Sequence, residues 1–144
     1  MALIFSDPNT AGPFQTFQVK DVECRVHQLP FSYFSTTGVN TLLGSYPPDT
    51  AFLGFDVWVG TVLSGNGVTA PTATLGSASA GTQFSNAVAV TNSAGYTAKL
   101  TPVTGILQAH DPTNRTDINL WFKGSCSTGN PTAGTIYLVV YYVR

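Results

Sequence analysis

Charge is the scarcest commodity in this chain. Six Lys and Arg and seven Asp and Glu in 144 residues make 9%, against roughly 25% in an ordinary soluble domain. The balance is −1 and no basic cluster occurs. The electrostatic footprint that phosphate backbones require is therefore missing, which excludes direct nucleic-acid binding. Long hydrophobic runs are missing too: the longest is about ten residues, well short of the roughly 20 that a spanning helix needs, so no membrane partner is expected. At the N-terminus, Ala2–Phe5 is short, lacks a basic leader and is cut off by Asp7-Pro8. It does not read as a signal peptide.

Cysteine and histidine are nearly as rare. Cys24 and Cys126 stand far apart with no CxxC and no flanking ligand cluster. Each shares its alternation phase with apolar neighbours, Val22 and Val26 for the first, Leu120 and Phe122 for the second, which points to buried free thiols. A bridge between an early and a late strand is the alternative. His27 and His110 are the two histidines. His110-Asp111 with Asp117 has the makings of a small metal or acid/base cluster, but His-Asp-Pro-Thr-Asn is also what a solvated turn demands. Asp49 and Asp56 sit seven residues apart with nothing to aim them into one cleft, as glycoside hydrolysis would require. No GxSxG, HExxH, Walker or dinucleotide fingerprint is present. No catalytic residue, metal or cofactor is expected, and the chain reads as a non-enzyme. Asn114-Arg115-Thr116 fits the glycosylation pattern, which has meaning only on a secretory route.

Helical periodicity is absent as well. Gly and Pro recur every few residues, with β-branched and aromatic residues between them, and apolar positions at i, i+3, i+4 and i+7 never persist over eleven residues. The expectation is an all-β chain: a two-sheet antiparallel β-sandwich, jelly-roll-like, in one domain over residues 17–144, preceded by an extended arm over 1–16 that carries Pro8, Gly12 and Pro13. A phase change near Lys20-Asp21 marks a bulge or a crossing between sheets. Strands are expected at Phe31–Phe34, Val39–Leu43, Phe52–Val59, Ala70–Leu75, Ala87–Thr91, Tyr96–Thr101, Ile106–Ala109, Ile118–Gly124 and Thr135–Val143. In the clearest of them Leu53, Phe55, Val57 and Val59 share one face and Phe52, Asp56 and Trp58 the other. Gly76–Thr82, rich in small residues, reads as a loop.

What the chain has in quantity is hydroxyl: twenty Thr and eleven Ser. A hydroxyl that finds a hydrogen bond is far easier to bury than an ion, so such a surface suits permanent contacts. The last strand is apolar or aromatic on both faces. Ile136, Leu138, Val140 and Tyr142 can enter the core, but Tyr137, Val139, Tyr141 and Val143 then need cover from a second layer or a second subunit. Trp58 and Trp121 both lie opposite the main apolar phase of their strands, which places them in second-layer packing or subunit contacts or, in the rival reading, makes them platforms on which a sugar stacks, as Tyr46 and Tyr96 also could.

Three segments together resemble a known family: Phe55-Asp56-Val57-Trp58-Val59-Gly60-Thr61, the stretch from Ala73 through Leu75-Gly76-Ser77-Ala78 to Ala87, and the ending from Pro131-Thr132-Ala133-Gly134 to Tyr141-Tyr142-Val143. In this order they are similar to small β-sandwich structural proteins of tailed bacteriophages, most of all capsid decoration (cement) proteins. The match spans about residues 50–144; similar endings occur in phage fibre and neck components. The resemblance implies a jelly-roll homotrimer that binds the major capsid protein on the outside of the virion, with the arm, through Phe5, Pro8, Pro13 and Phe14, reaching onto a neighbour. It brings no catalytic residues. The rival it leaves open is a receptor- or glycan-binding module of a fibre or tail.

Overall fold

The structure, a computed structural model, describes residues 2–5, 15–18, 21–48, 50–100 and 116–144, with the backbone alone described at 2–5, 15–18 and 96–99. It is built of strands and one 3-10 turn. β1 (Ala2–Phe5) and β2 (Gln15–Gln18) form an antiparallel two-stranded ribbon, so the described parts of the N-terminal segment pair with each other, and β2 runs across residue 16. β3 (Glu23–Pro30) leaves the ribbon for a different sheet, and the phase change near Asp21 is thus a crossing between sheets. A 3-10 turn (Phe31–Tyr33) follows, then β4 (Phe34–Ser35), β5 (Val39–Tyr46), β6 (Ala51–Ser64), β7 (Thr72–Gly76), β8 (Ser85–Ala89), β9 (Gly95–Leu100), β10 (Ile118–Ser125) and β11 (Ala133–Val143).

Two sheets form the body. One is antiparallel, in the order β3-β11-β6-β9; the other runs β4-β10-β7-β8, with β5 also paired to β10. Most connections therefore cross between the sheets, as a sandwich requires. The parallel pairing of β4 with Gly124 and Ser125 is a two-residue exception to an otherwise antiparallel plan. The inner faces meet in one core. Leu29, Phe55, Val57, Val59, Ile136, Leu138 and Val140 come from the first sheet and Leu75, Leu120 and Phe122 from the second, all at most 2% exposed. At one end Tyr46, Phe52, Phe84 and Tyr142 close the core through edge-to-face and tilted ring contacts with centroids 5.0–5.1 Å apart, a geometry that aligns ring edges with ring faces.

Two strand readings change. Phe31–Tyr33 is a 3-10 turn and not a strand, because the chain must leave the first sheet after Pro30 and enter the second at Phe34, which is buried against Phe122. In β6 it is Phe52 that enters the core, while Leu53 is only half-buried. A register shift sets Tyr141 opposite Gly54 and Tyr142 opposite Phe52, leaving Leu53 as the extra residue. One added residue in a period-two pattern flips the side chains beyond it. The strand expected at Ile106–Ala109 lies outside the described residues.

Leu138 sits at the centre of the first sheet, between His27 and Val57, with no exposed surface. Leu138→Ala is expected to destabilise the fold by about 3 kcal/mol, by lost burial plus the cavity left behind. Denaturant unfolding followed by far-UV circular dichroism measures this; a loss below about 1 kcal/mol would contradict a close-packed layer here.

Candidate assembly surface

The two outer faces of the sandwich differ sharply. On the second sheet the outer side is polar and partly covered by the chain itself. Hydroxyl and amide pairs bridge strands and loops there, Thr72 to Ser125 at 2.6 Å, Ser45 to Asn119 at 2.7 Å and Thr69 to Thr128 at 2.7 Å. The loop after β7 folds back over Gly76, where an added Cβ would run into the Gly81 backbone. That loop is tied down by Ala80 N–H donating to Asn40 Oδ1 at 3.0 Å and by Ser77 N–H donating to Gln83 Oε1. Trp121 lies on this side, opposite Gly76 and half-buried.

The first sheet is the reverse. β3 pairs with β11 so that Val26 lies opposite Val139, Cys24 opposite Tyr141 and Gln28 opposite Tyr137. β6 pairs on the other side, with Trp58 opposite Tyr137 and Gly54 opposite Tyr141. All these side chains point away from the core. Val22 is 61% exposed, Val26 57% and Trp58 43%, and Cys24 is exposed as well. Meanwhile the inward-facing positions of β3 are Glu23, Arg25 and His27. The inward phase of β3 thus carries charge, at an open edge where Arg25 stays exposed, while its outward phase carries apolar residues. Contiguous apolar surface of this kind marks a contact site.

The inward charges cap the open edge of the sandwich. His27 Nε2 and the Tyr46 hydroxyl are 3.0 Å apart, and the Arg25 guanidinium lies over the Tyr46 ring at 5.1 Å. Burial pushes the Tyr46 phenol up to about 12, and burial together with Arg25 holds the His27 imidazole below its usual range. Glu23 takes a forked contact from Arg144, with Nη2 to Oε2 at 2.8 Å; this partner and the Tyr142 hydroxyl lower its carboxyl. Inward charges on an edge strand are a recognised guard against edge-to-edge pairing.

The expected interface residues divide. Tyr137, Val139, Tyr141, Val143 and Trp58 share the apolar face of the first sheet; Trp121 belongs to the opposite side of the sandwich and cannot join them. The exposed Val22, Val26 and Cys24 of β3 belong to the same face and were missed. Their alternation with polar residues was visible, but it was read as pointing inward. Cys24 is accordingly an exposed thiol where a buried one was expected, whereas Cys126 is buried, and both are free. Burial raises the pKa of Cys126. Of the arm residues, Phe5 ends β1, and Pro8, Pro13 and Phe14 lie outside the described residues, as do Asp49, His110, Asp111, Asn114 and Arg115. Asp117 is exposed. Asp56 lies on the apolar face beside Tyr141; burial first and then this carboxylate raise the tyrosine. Among the described residues no three His, Cys, Asp or Glu side chains gather as metal ligands, and no helix is long and apolar enough to cross a membrane.

No protein-family model matches the chain, and no curated protein sequence does. Among solved structures it is similar to a chain of the cyanophage Pam1 capsid asymmetric unit, with a TM-score of 0.63, 16% sequence identity and 96% of each chain covered. At that identity the likeness is one of fold, and it extends over nearly the whole length of both chains.

The edge cluster predicts a two-sided pH dependence. His27 binds its proton more weakly folded than unfolded, so its contribution is complete above 6.5 and is lost as pH falls below it. Tyr46 holds its proton to about 12 when folded, against 10.0 ordinarily, so stability falls as pH rises past 10. The buried Cys126 thiol, raised from 9.0, starts that fall earlier, so stability by denaturant titration should plateau between 6.5 and 9. In His27→Gln the decline between 6.5 and the carboxylate range near 4.5 should flatten; an unchanged slope would assign that decline to other groups.

Proposed function

We propose that this chain is a virion structural protein, a decoration (cement) protein that binds the outer shell of a tailed-phage head as a homotrimer and stabilises it. The observation that carries this reading is the strand β3 with its bare apolar face, shared with β11 and β6. A chain that gathers valines, a tryptophan and tyrosines on one outer face, with the charges of β3 set at the sandwich edge, is shaped for permanent contact with a protein surface. Support comes from the likeness to a chain of a cyanophage capsid. Strand order adds to it: numbering the body strands β3 and β5–β11 from one to eight, the sheets read 1-8-3-6 and 2-7-4-5, the interleaving of a jelly roll. In this reading the apolar face joins copies of the chain, the N-terminal segment reaches the major capsid protein through Phe5, Pro8, Pro13 and Phe14, and the gain comes from binding the assembled shell more tightly than its parts.

The rival, a glycan-binding module, would gather its aromatics in a groove at a loop end. Trp58 and Tyr137 instead lie side by side in mid-sheet, where the Tyr137 ring rests over Gly60.

Val26→Asp places a charge on a solvent-facing position, so the fold should persist while assembly fails; light scattering at micromolar concentration should change from trimer to monomer. Removing residues 1–18, the whole ribbon, should leave the trimer intact and weaken binding to shells stripped of this protein at least tenfold, about 1.4 kcal/mol. Absence of shell binding by the full chain, together with a strong glycan-array signal, would move the assignment to adhesion.

A further inference from the structure

Gly54 is a strand glycine that the chain's own fold does not require. It lies within β6 opposite Tyr141 with ordinary strand backbone, and a Cβ built on it would meet nothing within 4 Å. Gly60, six residues on, is different: a Cβ there would strike the Tyr137 ring. Glycine in a strand interior weakens the strand and marks places where something else approaches closely. At Gly54 the room it leaves is a hollow of about 260 Å³ between Val22, Leu53, Phe55, Asp56 and Tyr141, open on the apolar face.

We propose that this hollow is a socket for the Trp58 side chain of a second copy of the chain. The inference rests on the reading of the apolar face as a subunit interface and names its anchor. Trp58 stands on the same face of the same strand, four residues and about 13 Å further along, and is the largest side chain there left substantially in solvent. The socket is walled by Val22, Leu53 and Tyr141, with the Asp56 carboxylate as a polar part of its rim. That mixture suits an aromatic residue with an apolar body and a polar tip. Area argues for an anchor of this kind. Four strands about 4.8 Å apart and about eight residues long give a face of roughly 500 Å² per copy; shared between two neighbours, it leaves each contact about 500 Å² in total, below the usual size of a specific interface. A contact that small depends on a deeply seated aromatic and not on its extent.

Knob and socket are displaced along β6, so each copy offers its Trp58 to one neighbour and its hollow to another. Head-to-tail contacts of this type close into a ring when the rotation allows.

The test uses the full chain with Trp121→Phe, leaving Trp58 as its one tryptophan. On assembly, Trp58 emission should move to the blue and acrylamide quenching should fall, at concentrations where light scattering reports the oligomer. Gly54→Leu fills the socket; it should leave far-UV circular dichroism unchanged, return Trp58 to its solvated emission and raise the dissociation concentration at least tenfold. Gly54→Ala, too small to fill the hollow, should remain assembled. Trp58→Ala, a surface change in the single chain, should weaken assembly as Gly54→Leu does, and keeps the test intact should the leucine variant misfold. An oligomer that survives both changes, or in which Trp58 stays fully quenchable, overturns the socket and leaves the interface standing. A protein that is monomeric at every concentration overturns both.

Discussion

The register between β3 and β11 is the constraint from which the surface follows. Side chains alternate with a period of two, so a slip of one residue would bury Val22, Cys24 and Val26 and expel Glu23, Arg25 and His27. The observed register is held at both ends. Leu29 and Ile136, paired and without exposed surface, lock one end into the core. At the other, Arg144 just past β11 grips Glu23 at the start of β3. Both partners of that ion pair are substantially exposed and it contributes little energy by itself; its role is geometric. Between the two ends the imidazole of His27 and the guanidinium of Arg25 find Tyr46, so the inward polar groups are satisfied by a ring that is itself 1% exposed.

Once that register is set, the outer face is a consequence. β11 is central in its sheet, flanked by β3 and β6, and its outward tyrosines and valines cover part of both neighbours. Tyr137 leans over Gly60, whose missing side chain makes the space for the ring. At the other end of β6 the space over Gly54 is unfilled. Two glycines on one strand face thus serve opposite purposes, one receiving a tyrosine of the same chain and the other leaving a recess in the surface. The bulge between them and the end of the strand adds to this, because it turns Leu53 outward to wall the recess while Phe52 takes its place among the core aromatics.

Much of the fold was legible because its signals are local. Alternation identified β6, β10 and β11, the Gly- and Pro-rich interruptions separated them, and the lack of any helical period excluded other classes. The two-faced character of β11 was also legible, since Tyr137, Val139, Tyr141 and Val143 cannot all share a core with their alternates. What failed was direction. Val22, Cys24 and Val26 carry the pattern of a core strand, and periodicity alone says which residues share a face, not which way that face points. Only pairing with β11 decides it. Phe52 was misplaced for a related reason: a bulge is a property of two strands in register, and neither strand's sequence announces it. Trp121 was grouped with Trp58 because both oppose their apolar phase, yet the strands belong to different sheets, which no short-range pattern reveals.

The asymmetry between the two sheets explains how so little charge suffices. A face rich in Thr, Ser and Asn can pair its own hydroxyls and amides, as Thr72 with Ser125 and Thr69 with Thr128 do, and can be sealed by a loop held through Asn40. Such a face stays hydrated without ions, since the remaining hydroxyl and amide valences are open to water. On the opposite face the described residues are mostly valines and aromatic rings, with Asp56 beside Tyr141 among them. In a chain with few charges to spend on solubility, leaving that face bare would invite indiscriminate association. Setting the charges of β3 at the sandwich edge, over the Tyr46 ring, leaves the flat of this face to apolar side chains.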